Sequence, residues 1–272
     1  MENTRAVDKF TSTLRIVAGF VYMTVLVLFF SLLCVVLLPW RPLRLRLTNI
    51  YGHLAGRGCL WLAGVRVPPD AVANIQARYP ALYVANHTSL VDMFIAIWLS
   101  PTGTCGVAKR EVIYYPLLGQ IFAISGHLLL DRTNRDNAVE AMRRASRMVV
   151  ENKFGVWMWP EGTRSRDGRL QPFKKGFAHL ALATRLPIVP IALTGVQNSW
   201  KRGSMVINPC NLGVKVLPPI STAHWTVENL DAHIAEVHAA LQGALPPEQQ
   251  ALSPVAVAPE RSRPSESRAA AA

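Results

Sequence analysis

His87 and Asp92, in Asn86-His87-Thr88-Ser89-Leu90-Val91-Asp92, follow directly on the apolar run Ala81–Ala85. An aspartate hydrogen-bonded to one imidazole nitrogen fixes the tautomer and leaves the other nitrogen as a general base. On one continuous helix a five-residue step turns about 140° and separates the two side chains. The spacing therefore works if His87 precedes a helix capped near Ser89 and Asp92 lies in its first turn. Capping or packing is the competing reading of a loop histidine. A second polar block, Pro160-Glu161-Gly162-Thr163-Arg164, ends the apolar run Val156–Trp159 and is followed by Arg166, Arg169, Lys174 and Lys175. A glycine turn with backbone N–H groups, a hydroxyl and a guanidinium holds the parts of an anion-binding nest; a solvated basic loop is the equally weighted alternative. A third block, Gly126-His127-Leu128-Leu129-Leu130-Asp131-Arg132, delivers an acid–base pair at the end of a short apolar run. That pair reads as a ligand site or as a structural ion pair, with His127 facing the core or a neighbouring strand. Thr88, Ser89 and Cys105 are poor candidates for nucleophiles, because no base stands at a defined spacing from Cys105 and the hydroxyls sit where a helix cap belongs.

These blocks need a scaffold, and the hydrophobic pattern supplies one. Ala81–Ala85, Leu128–Leu130, Val156–Trp159 and Ile188–Leu193 read as buried strands, with helical apolar spacing in Leu90–Leu99, Ala138–Val150 and Phe177–Thr184. Such alternation predicts an α/β domain: a mixed, largely buried sheet flanked by helices. The run Leu186-Pro187-Ile188-Val189-Pro190-Ile191 reads as a sheet-edge or entry strand, because its prolines donate no ladder bond, with apolar residues that line an acyl groove or, by default, pack in the core. One more amphipathic helix is marked by Val227, Leu230, Ile234, Val237 and Leu241.

Upstream, Ile16–Leu38 carries no charged side chain and is long enough to cross a hydrocarbon core, so a hydrophobic helical membrane anchor precedes the domain. Pro39, Trp40 and Arg41 follow it in place of a small-residue cleavage site. Basic residues flank it on both sides, which fits either a span or a segment entering one leaflet. Residues 47–65 read as a helix that either lies among lipid headgroups or packs on the domain. The expected organisation is membrane-anchoring helices over 1–66, an α/β domain over 67–243 and a disordered Pro/Ala/Ser-rich tail over 244–272.

In their order along the chain, these blocks resemble the glycerolipid acyltransferase family, especially 1-acyl-glycerol-3-phosphate acyltransferases. The Asn-His-x-x-x-x-Asp block stands at 86–92, Gly-x-x-x-x-Asp-Arg at 126–132, Pro-Glu-Gly-Thr-Arg at 160–164 and Pro-x-x-Pro at 187–190. A string as specific as Pro-Glu-Gly-Thr-Arg arises by chance on the order of once in ten thousand such chains. The resemblance covers about Val67 to Pro219; Trp159 stands where the family usually has Phe, so an aromatic is kept. It implies that His87 is the general base and Asp92 its partner. It further implies a phosphate and glycerol pocket formed by Arg132, Glu161, Gly162, Thr163 and Arg164, with Lys109 as a further cation. The implied reaction is transfer of an acyl group from acyl-CoA or acyl-carrier protein to the sn-2 hydroxyl of lysophosphatidic acid, giving phosphatidic acid. No metal or resident cofactor is implied. Lyso-ornithine lipid or glycerol 3-phosphate as acceptor is the alternative within the class.

Composition agrees with a membrane-associated enzyme. Half of the 272 residues are hydrophobic and 17% charged, which excludes a disordered or collagen-like chain. The 29 Lys+Arg against 17 Asp+Glu give +12, a balance suited to anionic lipid or a phosphorylated substrate. A non-catalytic basic membrane protein or nucleic-acid binder is the reading from another class. Intact His87 and Asp92 count against the first, and the absence of any recognised nucleic-acid module against the second. Cys34, Cys59, Cys105 and Cys210 show neither zinc spacing nor a disulfide framework, so a reducing compartment is the default. The Ala/Arg-rich composition fits a bacterial inner membrane, with the active site facing the cytoplasm, where both acyl donors reside.

Overall fold

A computed structural model describes residues 9–116, 118–130, 135–201, 203–252 and 255–258. Two long antiparallel helices, α1 (Lys9–Val36) and α2 (Arg41–Leu62), lead through a two-residue strand β1 (Val65–Arg66) and a short helix α3 (Ala71–Gln76) into the sheet. There follow β2 (Leu82–Ala85), α4 (Asp92–Leu99), β3 (Thr104–Lys109), α5 (Leu118–Ser125), β4 (Leu128–Leu130), α6 (Arg135–Asn152), β5 (Gly155–Met158), α7 (Gly176–Thr184) and β6 (Ile188–Thr194). The chain continues through β7 (Cys210–Asn211), which pairs with β1, and β8 (Gly213–Val216) to the last helix, α8 (Leu230–Ala244).

The main sheet has the order β4-β3-β5-β2-β6-β8, parallel except for antiparallel β8. A parallel sheet needs both faces covered, and its strands are accordingly apolar throughout. Side chains alternate between the faces. Leu82 and Val84 join Val156, Met158, Phe177, Leu180, Ile234 and Val237 under α7 and α8. Tyr83 and Ala85 join Trp157, Val189, Ile191, Ile95 and Leu99 under α4. Each such buried side chain contributes roughly 1.5–3 kcal/mol.

The expected α/β architecture is present, with two local differences. The Pro-x-x-Pro strand is β6, which lies between β2 and β8 rather than at the edge. Pro187 precedes the ladder and gives its carbonyl to Leu82 N–H at 2.9 Å. Pro190 turns its carbonyl to Leu217 N–H at 2.9 Å, so its missing donor falls on the side where β8 has already given way to Pro218-Pro219. Over residues 245–252 and 255–258 the chain after α8 is also docked rather than loose: Leu245 and Gln249 are buried, and Ala251 and Val257 pack against the core.

The α2 helix packs on the domain, through glycines. A Cβ at Gly56 would lie 2.5 Å from the Phe94 carbonyl and 2.8 Å from Trp98 Cβ, and one at Gly52 would lie 2.9 Å from the Ile97 carbonyl. Small residues one turn apart thus let α2 and α4 approach closely. At its other end, Arg41 donates to the Gly126 carbonyl at 2.9 and 3.1 Å, and Arg44 donates to the Ile124 carbonyl. These guanidiniums satisfy the C-terminal carbonyls of α5 and suit its dipole. Met23, Val27, Phe30 and Cys34 bury one stripe of α1 against this layer, while Phe20, Leu28, Phe29 and Leu32 lie on its exposed side.

Candidate active site

The carboxyl ends of the adjacent strands β2 and β5 make the site. Val84 pairs with Met158, and the same register carried past the strand ends sets His87 opposite Glu161. Tyr83 stacks on its register partner Trp157 with centroids 6.0 Å apart. The two-residue period then brings Trp159 to the same face, where it stacks on His87 at 4.5 Å with an interplanar angle of 18°. Asn86 fixes the loop from below: its amide donates to the Leu193 carbonyl at 2.9 Å and accepts Leu193 N–H at 2.8 Å, both at the end of β6.

His87 and Asp92 meet, with Nδ1 2.9 Å from Oδ2. Asp92 is fully buried, whereas the His87 side chain keeps 16% of its surface accessible. The same Oδ2 accepts Thr88 N–H at 2.6 Å and Ser89 N–H at 2.8 Å. One carboxylate oxygen therefore holds both the turn and the ring. With Nδ1–H directed at Asp92, Nε2 carries the lone pair and is the nitrogen that can take a proton. The helix begins two residues later than the cap at Ser89 predicts: α4 starts at Asp92 itself, with Val91 at its N-cap. Ser89 Oγ instead donates to the Trp200 carbonyl at 3.2 Å.

Glu161 lies behind the catalytic loop and is held by main-chain donors. It is 3% exposed; one oxygen accepts His87 N–H at 2.7 Å and the other Gln171 N–H at 3.1 Å. The carboxyl therefore ties the two loops together, and burial raises its pKa to about 8. The neighbouring turn is tight, with Gly162 at φ +71°. Gly162 N–H donates to the Trp159 carbonyl at 3.0 Å and Ser165 N–H to the His87 carbonyl at 2.8 Å. Those two donors are thus used internally. The turn presents the exposed Thr163 and the half-buried Arg164. Lys174, whose N–H donates to the Pro160 carbonyl at 2.8 Å, folds its side chain across Gly162, so that a Cβ there would come within 2.7 Å of its ammonium. Lys109 ends β3 opposite Leu130 at the same carboxyl edge of the sheet; Arg132 lies outside the described residues.

The competing groups have other duties. His127 Nδ1 accepts Gly106 N–H at 3.1 Å, and burial together with Arg41 lowers its pKa to about 4, so it is a neutral strand-bridging ring. Burial pushes the Cys105 thiol up to about 12, far from a thiolate nucleophile. Among the described residues no cluster of three or more His, Cys, Asp or Glu is arranged to hold a metal. Beside the catalytic loop, an apolar cleft of about 190 Å³ opens between α1 and α4, lined by Ile16, Phe20, Met23, Val91, Phe94 and Trp200. Asn86, Trp159 and Gln171 were not read from the sequence as parts of this site. Asn86 is the first residue of the block at 86–92 and Trp159 adjoins the block at 160–164, so register could have found both; Gln171 acts through its backbone, which leaves no signal in residue type.

Known proteins resemble this chain in sequence and in fold. The family model described as Acyltransferase matches residues 70–194. A 1-acyl-sn-glycerol-3-phosphate acyltransferase of Limnanthes douglasii is 43% identical over 241 residues, covering 89% of this chain and 85% of that protein. The Cocos nucifera protein of the same name is 39% identical over 252 residues, covering 93% and 81%. An Escherichia coli protein of that name is 29% identical over 229 residues, covering 82% and 89%. Among solved structures, the 1-acyl-sn-glycerophosphate (LPA) acyltransferase PlsC from Thermotoga maritima superposes with a TM-score of 0.56 at 22% identity, covering 83% of this chain and 95% of that one, which is a likeness of fold.

Proposed function

The chain belongs to the 1-acyl-sn-glycerol-3-phosphate acyltransferase family and is an O-acyltransferase, and from that premise we propose that it acylates the sn-2 hydroxyl of lysophosphatidic acid to give phosphatidic acid. The observation that carries the chemistry is the 2.9 Å contact of His87 Nδ1 with buried Asp92 at the carboxyl end of β2. His87 Nε2 takes the hydroxyl proton as the oxygen attacks the thioester carbonyl of acyl-CoA or acyl-carrier protein. The tetrahedral adduct collapses, the C–S bond breaks, and the thiolate leaves with the proton that the imidazolium returns. Asp92 holds the ring's tautomer and stabilises the imidazolium. No acyl-enzyme and no resident cofactor take part.

Arg164 is the bidentate phosphate ligand of this reading, with Lys109 and Arg132 as further cations. The apolar cleft beside Val91 suits an acyl chain. The test is acyl transfer from labelled acyl-CoA, and separately from acyl-carrier protein, to lysophosphatidic acid, lyso-ornithine lipid and glycerol 3-phosphate. Lysophosphatidic acid should be the preferred acceptor. Arg164→Ala should raise its KM tenfold or more, the value of one charged hydrogen-bonded contact, and leave the donor KM within about twofold. An unchanged acceptor KM would remove Arg164 from the phosphate site.

The membrane arrangement follows from α1 and α2. Among the described residues, α1 is a helix long and apolar enough to cross a bilayer by length and composition. Its partner α2, however, is bound to the domain at both ends, through Arg41 and Arg44 at one and the Gly56 crossing with α4 at the other. We therefore read α1 as lying along the domain with its exposed face in one leaflet, so that the active site meets lysolipid at the surface that also holds the soluble donor. We take that membrane as a bacterial inner membrane from the Ala/Arg-rich composition, and the active site as facing the cytoplasm because both acyl donors reside there. Phe29→Asp, a change on the exposed side of α1, should markedly lower co-flotation with anionic vesicles while the folded domain persists. Undiminished flotation would exclude that face from the bilayer.

A further inference from the structure

The chain beyond α8 lies against the loop that follows the Glu161 turn. Leu170 N–H donates to the Gln249 carbonyl and Phe173 N–H to the Ala256 carbonyl, each at 2.8 Å, and Ala258 N–H returns to the Phe173 carbonyl at 2.8 Å. Phe173 and Val257 form a parallel bridge. Arg169, one of the basic residues after the turn, spends its guanidinium on the Pro247 and Gln250 carbonyls at 3.1 and 3.0 Å. Between these attachments Gln171 N–H points the other way, to Glu161, whose second oxygen holds His87 N–H.

A second route reaches the same loop. Gln249 is 1% exposed and donates its amide to the Leu193 carbonyl at 3.3 Å, the acceptor that also takes Asn86 Nδ2 at 2.9 Å. Its own Oε1 is buried without a partner, an unfavourable state for a side chain whose whole role is packing. The buried amide thus sits beside the anchor of the catalytic loop.

We propose that residues 246–252 and 255–258 form a strap that positions His87, with Arg169 and Gln249 as positioning residues acting through Gln171–Glu161 and through Leu193–Asn86. The proposal rests on His87 being the base. It also removes Arg169 from the set of phosphate-binding cations, so its loss falls on kcat and not on acceptor KM.

The experiment uses the full chain carrying Arg169→Ala or Gln249→Met, the latter keeping length but not the amide donor. Each should lower kcat for lysophosphatidic acid acylation five- to fiftyfold at pH 9 after correction for folded fraction by tryptophan-fluorescence melting, with acceptor KM within twofold. Because Arg169 acts through Glu161, Arg169→Ala placed on Glu161→Gln should add less than a twofold further loss. If kcat is unchanged in both variants while His87→Ala is inactive, the strap is overturned and the base stands. Losses that vanish on correcting for folded fraction, or an Arg169→Ala loss that multiplies with Glu161→Gln, also overturn it, as marks of a structural role alone. An active His87→Ala overturns the base and the strap together.

Discussion

His87→Ala should lower kcat for acyl transfer by roughly 10²–10⁴, the range a positioned general base supplies, with acceptor and donor KM little changed. The fold should survive, because the imidazole makes one side-chain hydrogen bond and Asp92 Oδ2 keeps its two from Thr88 and Ser89 N–H. Asp92→Asn is a finer probe. The amide oxygen can still accept at the Oδ2 position, so the turn persists, but a neutral partner no longer stabilises the imidazolium that forms as the hydroxyl is deprotonated. Its loss should approach that of His87→Ala. The double variant should be no slower than His87→Ala alone, since the two side chains work as one unit. Single-turnover acyl transfer with each variant measures this; His87→Ala retaining more than about a tenth of wild-type kcat would end the assignment.

What could be read in advance divides along a physical line. Features written in consecutive residues were legible: the all-apolar runs of β2, β5 and β6, the helical spacing of α6, and the His87–Asp92 pair all stand where the pattern places them. Strand β3 was not read, because Thr104-Cys105-Gly106-Val107-Ala108-Lys109 is short of large apolar side chains; its burial comes from pairing between β4 and β5. The α2 helix was ambiguous for a related reason. Its contact with α4 is made by Gly52 and Gly56, residues that score as featureless in a hydrophobic pattern but permit backbone approach. Chain order also conceals Glu161. Its neighbours depend on β5 lying beside β2, although 73 residues part their starts in sequence at Leu82 and Gly155. The docked tail is held largely by main-chain bonds, which composition does not reveal.

Glu161 should impose opposite pH dependences on stability and on rate. Burial pushes its carboxyl from an ordinary value of 4.5 up to about 8, against the pull of the His87 and Gln171 N–H donors, which favour the charge. In the unfolded chain the group ionises near its ordinary value, so between about pH 4.5 and 8 the folded state holds a proton that the unfolded state has released. Stability from this group is complete below that window and falls as pH rises through it, by at most about 1.4 kcal/mol per pH unit. Glu161→Gln removes the titration, so its melting temperature should gain on wild type from pH 5 to pH 8. Rate should move the other way. The ionised carboxylate accepts both N–H groups, whereas glutamine, like the protonated acid, turns a donor toward one of them and loosens the loop behind His87. Losing a charge-assisted hydrogen bond of about 1.5–3 kcal/mol corresponds to roughly a 10–100-fold fall in kcat. That fall should appear at pH 9 and shrink to within about threefold at pH 6, where wild type is itself protonated. Melting curves and kcat for both proteins from pH 5 to 9 test the pair of trends. If the two sets run parallel, the carboxyl does not titrate in the folded protein. If they diverge as stated, the ionised form is the less stable and the more active one, a loop held under tension by a buried charge for the sake of the base it positions.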